Sequence, residues 1–203
     1  EYIIIVKRQQ DSGAYGEKNE RRNKMKHLRK QIAGYLLTLI LLMAGIVFPG
    51  SGEKVLASGG SMTVHFLDVG QGLSILVQSE GQNLLYDGGP RSASSYVVSY
   101  LQEQNVSEID YLISSHYDED HVSGLIGCLN AFQVDNVIGA DYIHDSSLYG
   151  SFMDAVAAHG LEVQHPAVGA EYTFGSGEFT ILSPKEISKE SNANSVAIKL
   201  TNG

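Results

Sequence analysis

Six consecutive residues, His116-Tyr117-Asp118-Glu119-Asp120-His121, carry four side chains of metal-binding type, those of His116, Asp118, Asp120 and His121. The run Ile109-Asp-Tyr-Leu-Ile-Ser114 just before them is apolar and predicts a strand. The four side chains should therefore project together from its carboxyl end and from the loop leading to the next helix. Neutral imidazole and carboxylate are ligands that zinc, manganese and iron accept, and paired carboxylates neutralise a second divalent ion. The matching chemistry is the binding of divalent metal ions. The competing reading is a solvated acidic loop that binds nothing.

Other candidates carry less. His65, His144, His159 and His165 stand outside any ligand-spaced cluster and are read as surface or packing residues, His165 being the one on a late loop to watch. Gly70-Gln-Gly72 lacks the Lys-Ser/Thr of a phosphate loop and the third glycine of a dinucleotide fingerprint, so it is read as a tight turn. Asn194 and Ser195 open a late strand near the expected pocket, where capping and turn chemistry explain them as well as substrate contact does. The lone Cys128 excludes an internal disulfide or a Cys-based zinc site and is read as a small buried hydrophobe.

The elements that must hold the cluster are legible in the apolar periodicity. Residues 62–68, 74–78 and 83–86 read as strands of an antiparallel meander broken by Val69-Gly-Gln-Gly72 and ending at Asp87-Gly-Gly-Pro90. Residues 94–104 read as a helix and 109–114 as a strand; after the cluster come a helix over 122–132, a strand over 134–139, a helix over 147–159 and a strand over 161–164. Strands at 171–174, 178–182 and 195–200 follow. Strands, then alternating helices and strands, then strands again predict packed sheets with helices outside.

Charge divides the chain. Of its 14 Lys and Arg residues, 9 fall within residues 1–30, whereas from Ser58 onward four basic residues face 18 acidic ones, a net −14. Such a surface repels phosphate backbones, so a polyanionic substrate would need to be held by bound metal or by parts outside this chain. Residues 1–24 show no apolar period and are expected to lie outside the fold, as read-through upstream of Met25 or as disordered chain. Residues 25–57 combine a basic start, a 17-residue uncharged run (32–48) and the small-residue exit Val55-Leu-Ala57. That order predicts a cleaved secretory signal, with an uncleaved membrane anchor as the alternative.

Taken with its flanks, the loop resembles the His-x-(His or Asp)-x-Asp-His signature of the metallo-β-lactamase superfamily. The flanks are His65-Phe-Leu-Asp-Val-Gly-Gln-Gly72, Leu84-Leu-Tyr-Asp-Gly-Gly89, Ser114-Ser115 ahead of the loop with Val122-Ser-Gly124 behind it, and Asn192-Ala-Asn-Ser-Val196. In this order they resemble the extracytoplasmic domain of ComEC-type competence proteins. The resemblance covers about residues 62–203 and implies an α/β fold, the N-terminal portion of the metallo-β-lactamase αββα sandwich. It implies two divalent ions, zinc with manganese as the alternative. His116 and Asp118 would be ligands of the first ion, and Asp120 and His121 of the second. Asp120 would also be the catalytic residue orienting the attacking water, and Asp87 would support the metal loop from behind. Leu73 and Ser123 depart from the family pattern without removing a ligand.

The family continues beyond the point where this chain stops, Thr201-Asn-Gly203, into Gly-Asp and His-His-Gly-Ser motifs. The expectation is therefore a domain incomplete at its C-terminus, with most of a second sheet beyond Gly203, inactive and poorly stable as it stands. The overall reading is an extracytoplasmic metal-dependent hydrolase, acting on phosphodiester bonds if the resemblance extends to substrate, whether nucleic acid or a small phosphoester. Membrane contact would come only through an uncleaved N-terminal anchor, and no protein partner is expected. The alternative is a non-catalytic module that uses the fold to bind at the cell surface.

Overall fold

The computed structural model describes residues 2–4 and 60–202. The expected export segment, 25–57, lies outside the described residues, as does 5–24. Among the described residues no helix is long and apolar enough to cross a membrane.

Chain order is β1 (Tyr2–Ile4), β2 (Met62–Phe66), β3 (Ser74–Ser79), β4 (Gln82–Gly88), α1 (Ser94–Glu103), β5 (Glu108–Ile113), α2 (Glu119–Ala131), β6 (Gln133–Ile138), α3 (Ser147–Ala158), β7 (Val163–Gln164), β8 (Glu171–Phe174), β9 (Gly177–Ser183) and β10 (Ala197–Asn202). One sheet runs β2-β3-β4-β5-β6-β7 and a second runs β1-β10-β9-β8. β2, β3 and β4 form the expected antiparallel meander. From β4 onward the pairing is parallel, because α1, α2 and α3 carry the chain back across one face.

The central strands are buried on both faces, which is why they read as nearly unbroken apolar runs. Alternate residues part to opposite sides. Leu76, Leu85, Leu112 and Val137 face the helices and meet Val97, Leu101, Leu125, Leu129 and Phe152. Ile75, Val77, Leu84, Ile113 and Ile138 face the second sheet and meet Phe174, Phe179, Ile181, Ile198 and Leu200. Helices, sheet and sheet thus stack as three of the layers of the expected sandwich. Cys128 is buried in the helical layer, where desolvation pushes its thiol up to about 12.

Three expectations need correction. The strands before Gly203 already close the core: β8, β9 and β10 cover the apolar face of β5 and β6, and Ile113 and Ile138 are both fully buried. Tyr2–Ile4, placed outside the fold by its lack of periodicity, pairs antiparallel with β10 at the sheet edge. A strand this short carries too few residues to show a period. Finally, α2 begins at Glu119 and not at Val122, so Asp120 and His121 lie in its first turn.

Candidate metal centre

The carboxyl ends of β4 and β5 deliver the central residues side by side, since the two strands pair in parallel with Tyr86 opposite Ile113. Asp87, next to last in β4, has a φ of 57°, a left-handed conformation that Asp tolerates better than most side chains. That twist turns a fully buried carboxylate toward the loop after β5. It accepts hydrogen bonds from the Ser115 amide (2.7 Å), the Ser115 hydroxyl (2.6 Å) and His121 Nδ1 (2.8 Å).

These bonds set the tautomers of both histidines. Ser115 has one hydroxyl hydrogen and gives it to Asp87, so at 2.9 Å its oxygen accepts from His116 Nδ1. His116 Nε2 is then a bare lone pair. It is buried and has no hydrogen-bond partner; the nearest charged atom is Asp118 Oδ2, 3.4 Å away. His121 likewise spends Nδ1 on Asp87 and leaves Nε2 free, 3.9 Å from Asp120 Oδ2. The two imidazoles lie 4.1 Å apart between ring centroids. Their basicities diverge. Burial holds His116 below the usual imidazole range, and the proximity of His121 lowers it further. Burial also acts against protonated His121, but the hydrogen bond and charge of Asp87 outweigh it and raise the pKa.

Asp118 is the N-cap of α2, and its carbonyl accepts from the amides of His121 (3.1 Å) and Val122 (3.0 Å). An N-cap Asp ordinarily turns its carboxylate onto the helix amides. Here the side chain makes no capping bond. Its oxygens instead face His116, Asn192 Nδ2 at 3.3 Å and His144 Nε2 at 3.3 Å. Forgoing a cap that is typically worth about 1 kcal/mol is a local sacrifice of the kind found where side chains are held for chemistry.

Two further segments close the site. The turn Ser191–Asn194 brings Asn192 to Asp118, and Ser195 Oγ lies 3.3 Å from His116 Nδ1. The amide of Val196 donates to the Ser115 carbonyl at 2.7 Å, and the Tyr86 hydroxyl donates to the Val196 carbonyl at 2.5 Å. The turn at Gly70-Gln-Gly72 packs from the other side, where a Cβ on Gly72 would lie 2.2 Å from the Asp120 carbonyl oxygen. Only glycine permits that approach.

The structure therefore gathers His116, Asp118, Asp120, His121 and Asp87. Among the described residues, however, no three His, Cys, Asp or Glu side chains already surround a common point as a metal site. The donors stand in pairs. Sequence reasoning missed Ser115, whose hydroxyl is the hinge of the tautomer argument, and the approach of His144 to Asp118. Neither has a spacing signal, because Ser115 looks like the end of a strand and His144 lies in a loop far along the chain. Of the other described histidines, His159 meets the Leu129 carbonyl and His165 the Gly139 carbonyl, while His65 meets the Tyr100 hydroxyl through Nδ1 and keeps a buried, unpartnered Nε2 away from the cluster.

The sequence model described as "Metallo-beta-lactamase superfamily" matches residues 67–187. A Neisseria gonorrhoeae protein named competence protein ComA is 38% identical over 86 residues, which cover 42% of this chain and 12% of that protein. Recombination protein 2 of Haemophilus influenzae is 29% identical over 146 residues, 69% of this chain and 17% of that protein. The chain thus spans less than a fifth of either relative. Among solved structures, a Cronobacter sakazakii metallo-β-lactamase with a HARLDQ motif shares 15% identity and a TM-score of 0.44, covering 59% of this chain and 49% of that one. A subclass B3 metallo-β-lactamase from a soil metagenome library shares 12% identity and a TM-score of 0.48, covering 72% of this chain and 60% of that one.

Proposed function

Because the chain belongs to the metallo-β-lactamase superfamily, whose sequence model covers more than half of it, we propose that residues 62–202 form a metal-dependent hydrolase and that the cluster at the end of β5 is its centre. One observation carries the reading. His116 Nε2 is a buried lone pair with no hydrogen-bond partner, in a ring whose other nitrogen is already committed. A buried polar atom left in this way costs about 1–3 kcal/mol unless something binds it, and a divalent cation is what imidazole nitrogen binds best.

The residues present fit such ions. His116 and Asp118 would hold the first ion, Asp120 and His121 the second, with zinc or manganese matching this mix of nitrogen and oxygen donors. When bound, the metal supplies Lewis acidity and a water of near-neutral pKa. The chain's own groups do the rest. Asp87 keeps both Nε2 lone pairs pointed inward through Ser115 and His121. Depressed basicity keeps His116 neutral and ready to ligate at physiological pH. Asp120, in the first turn of α2, would be the carboxylate that orients an attacking water.

For substrate, the similarity to proteins named for competence and recombination supports a phosphodiester. With a net −14 from Ser58 onward, a polyanion would need the bound cations to offset repulsion, which favours a short substrate over a long duplex. The export signal read at 25–57 supports an extracytoplasmic site of action.

The test is hydrolysis of bis(p-nitrophenyl) phosphate by the zinc- or manganese-loaded protein beside its Asp120→Ala variant. We expect turnover in the wild type and a loss of at least a hundredfold in the variant. Metal bound at about two equivalents with no hydrolysis of any phosphoester would instead favour a binding module. An Asp120→Ala variant retaining more than about a tenth of the turnover would overturn the assigned role.

A further inference from the structure

Among the described residues, His144 is the one histidine outside the cluster that reaches it. It lies on the loop between β6 and α3, its side chain about three-quarters buried, with Nε2 3.3 Å from Asp118 Oδ1. Its other nitrogen, Nδ1, is 2.9 Å from the hydroxyl of Ser146, the residue that caps α3. Ser146 Oγ is itself anchored by accepting from the Tyr149 amide at 3.2 Å. The imidazole is therefore tied to a helix end on one side and presented to the cluster on the other.

Asp118 stands between two imidazole nitrogens. One carboxylate oxygen is 3.4 Å from His116 Nε2 and the other 3.3 Å from His144 Nε2. His116 Nε2 is buried without a hydrogen-bond partner, so an acceptor for a cation already exists at one end of this chain of donors. Zinc sites that do chemistry take three protein ligands and leave one position open. His116 and Asp118 supply only two.

We propose that His144 is the third protein ligand of the first ion, so that this site is built from His116, Asp118 and His144, three side chains that do not yet surround a common point and draw together as the ion binds. The proposal rests on the metal-centre reading given above and adds a residue to it. Ser146 is the outer partner that metal-bound imidazoles almost always have, accepting from Nδ1 and leaving Nε2 for the ion. The alternative role for His144 is an ion pair or hydrogen bond to Asp118 without ligation.

Metal binding by the full chain distinguishes these roles without reference to activity. Metal-free protein would be titrated with cobalt(II), following its visible d–d absorption, and with zinc against a chromophoric chelator. The wild type would be compared with His116→Ala, His144→Ala, His144→Gln and His165→Ala, and far-UV dichroism of each metal-free variant would confirm folding. We expect both His144 variants to weaken one ion by roughly ten- to a hundredfold and to alter the cobalt band. His165→Ala should match the wild type, because its ring meets the Gly139 carbonyl. If His144→Gln binds within about twofold of the wild type while His144→Ala does not, the side chain only positions Asp118 and ligation is refuted. If both His144 variants bind like the wild type while His116→Ala loses an ion, the metal centre stands and the role of His144 falls. A wild type that binds neither metal would overturn the centre and this proposal together.

Discussion

Asp87 is the residue on which the arrangement turns, because a single buried carboxylate satisfies two donors of Ser115 and one of His121. Removing it strands those donors. Asp87→Ala should destabilise the metal-free protein by about 3 kcal/mol, from the lost charge-assisted bonds together with the strain of a non-glycine left-handed residue. Asp87→Asn keeps an acceptor for the Ser115 amide and tolerates the left-handed backbone, so it should lose no more than about half as much. Urea unfolding at pH 7 compares the two. Equal losses would mean that the backbone conformation at Asp87 and the charge-free hydrogen bond contribute nothing separable. The pattern His-x-Asp-x-Asp-His was visible at this scale without a structure. The tautomers were not, because they depend on one serine hydroxyl that no spacing rule singles out.

Helix α2 brings Asp120 and His121 to the site, and its seat on β4 is a backbone contact. A Cβ on Gly124 would lie 1.8 Å from the Gly88 carbonyl oxygen, and the Gly124 amide donates to the Gly89 carbonyl at 3.1 Å. Backbone cannot step aside as a side chain can. Gly124→Ala should therefore cost about 3 kcal/mol and draw His121 away from Asp87, despite the better helix propensity of alanine. Gly127→Ala, one turn later, would crowd the Ser94 hydroxyl, at 2.2 Å, and make ordinary contact with Ser94 Cβ and Val98. The hydroxyl can rotate, so the variant should stay within about 1 kcal/mol of the wild type. Thermal or urea melts of the pair check the contrast, and a tolerated Gly124→Ala would refute the close seat. Periodicity placed the helix but began it three residues late, because the charged first turn of Glu119 and Asp120 carries no apolar signal.

At the scale of the whole molecule, the second sheet decides whether the site has a stable platform. Phe179 is fully buried, edge-on to Tyr111 at 5.1 Å and stacked on Tyr172 at 4.8 Å between ring centroids. Phe179→Ala should cost about 3–5 kcal/mol, a large share of a typical domain stability of about 5–15 kcal/mol. Urea unfolding followed by far-UV dichroism measures it. A loss below about 1 kcal/mol would show that β9 does not close over β5 in solution.

The sequence alone determined the order and type of the elements from Met62 onward, because each of those strands and helices writes its period into a contiguous stretch of residues. It also kept His116, Asp118, Asp120 and His121 close together, since residues adjacent in the chain at the end of a buried strand cannot part far. What crosses between distant segments was decided only by tertiary structure. Tyr2–Ile4 joined β10, strands 171–202 covered Ile113 and Ile138, and His144 and Asn192 came to Asp118 from loops well beyond the cluster. Those contacts depend on where the chain folds back, and short extended segments and loop residues carry no period that records it. The hydroxyl of Ser115 belongs to the same class: its meaning lies in the carboxylate opposite, 28 positions away in the chain.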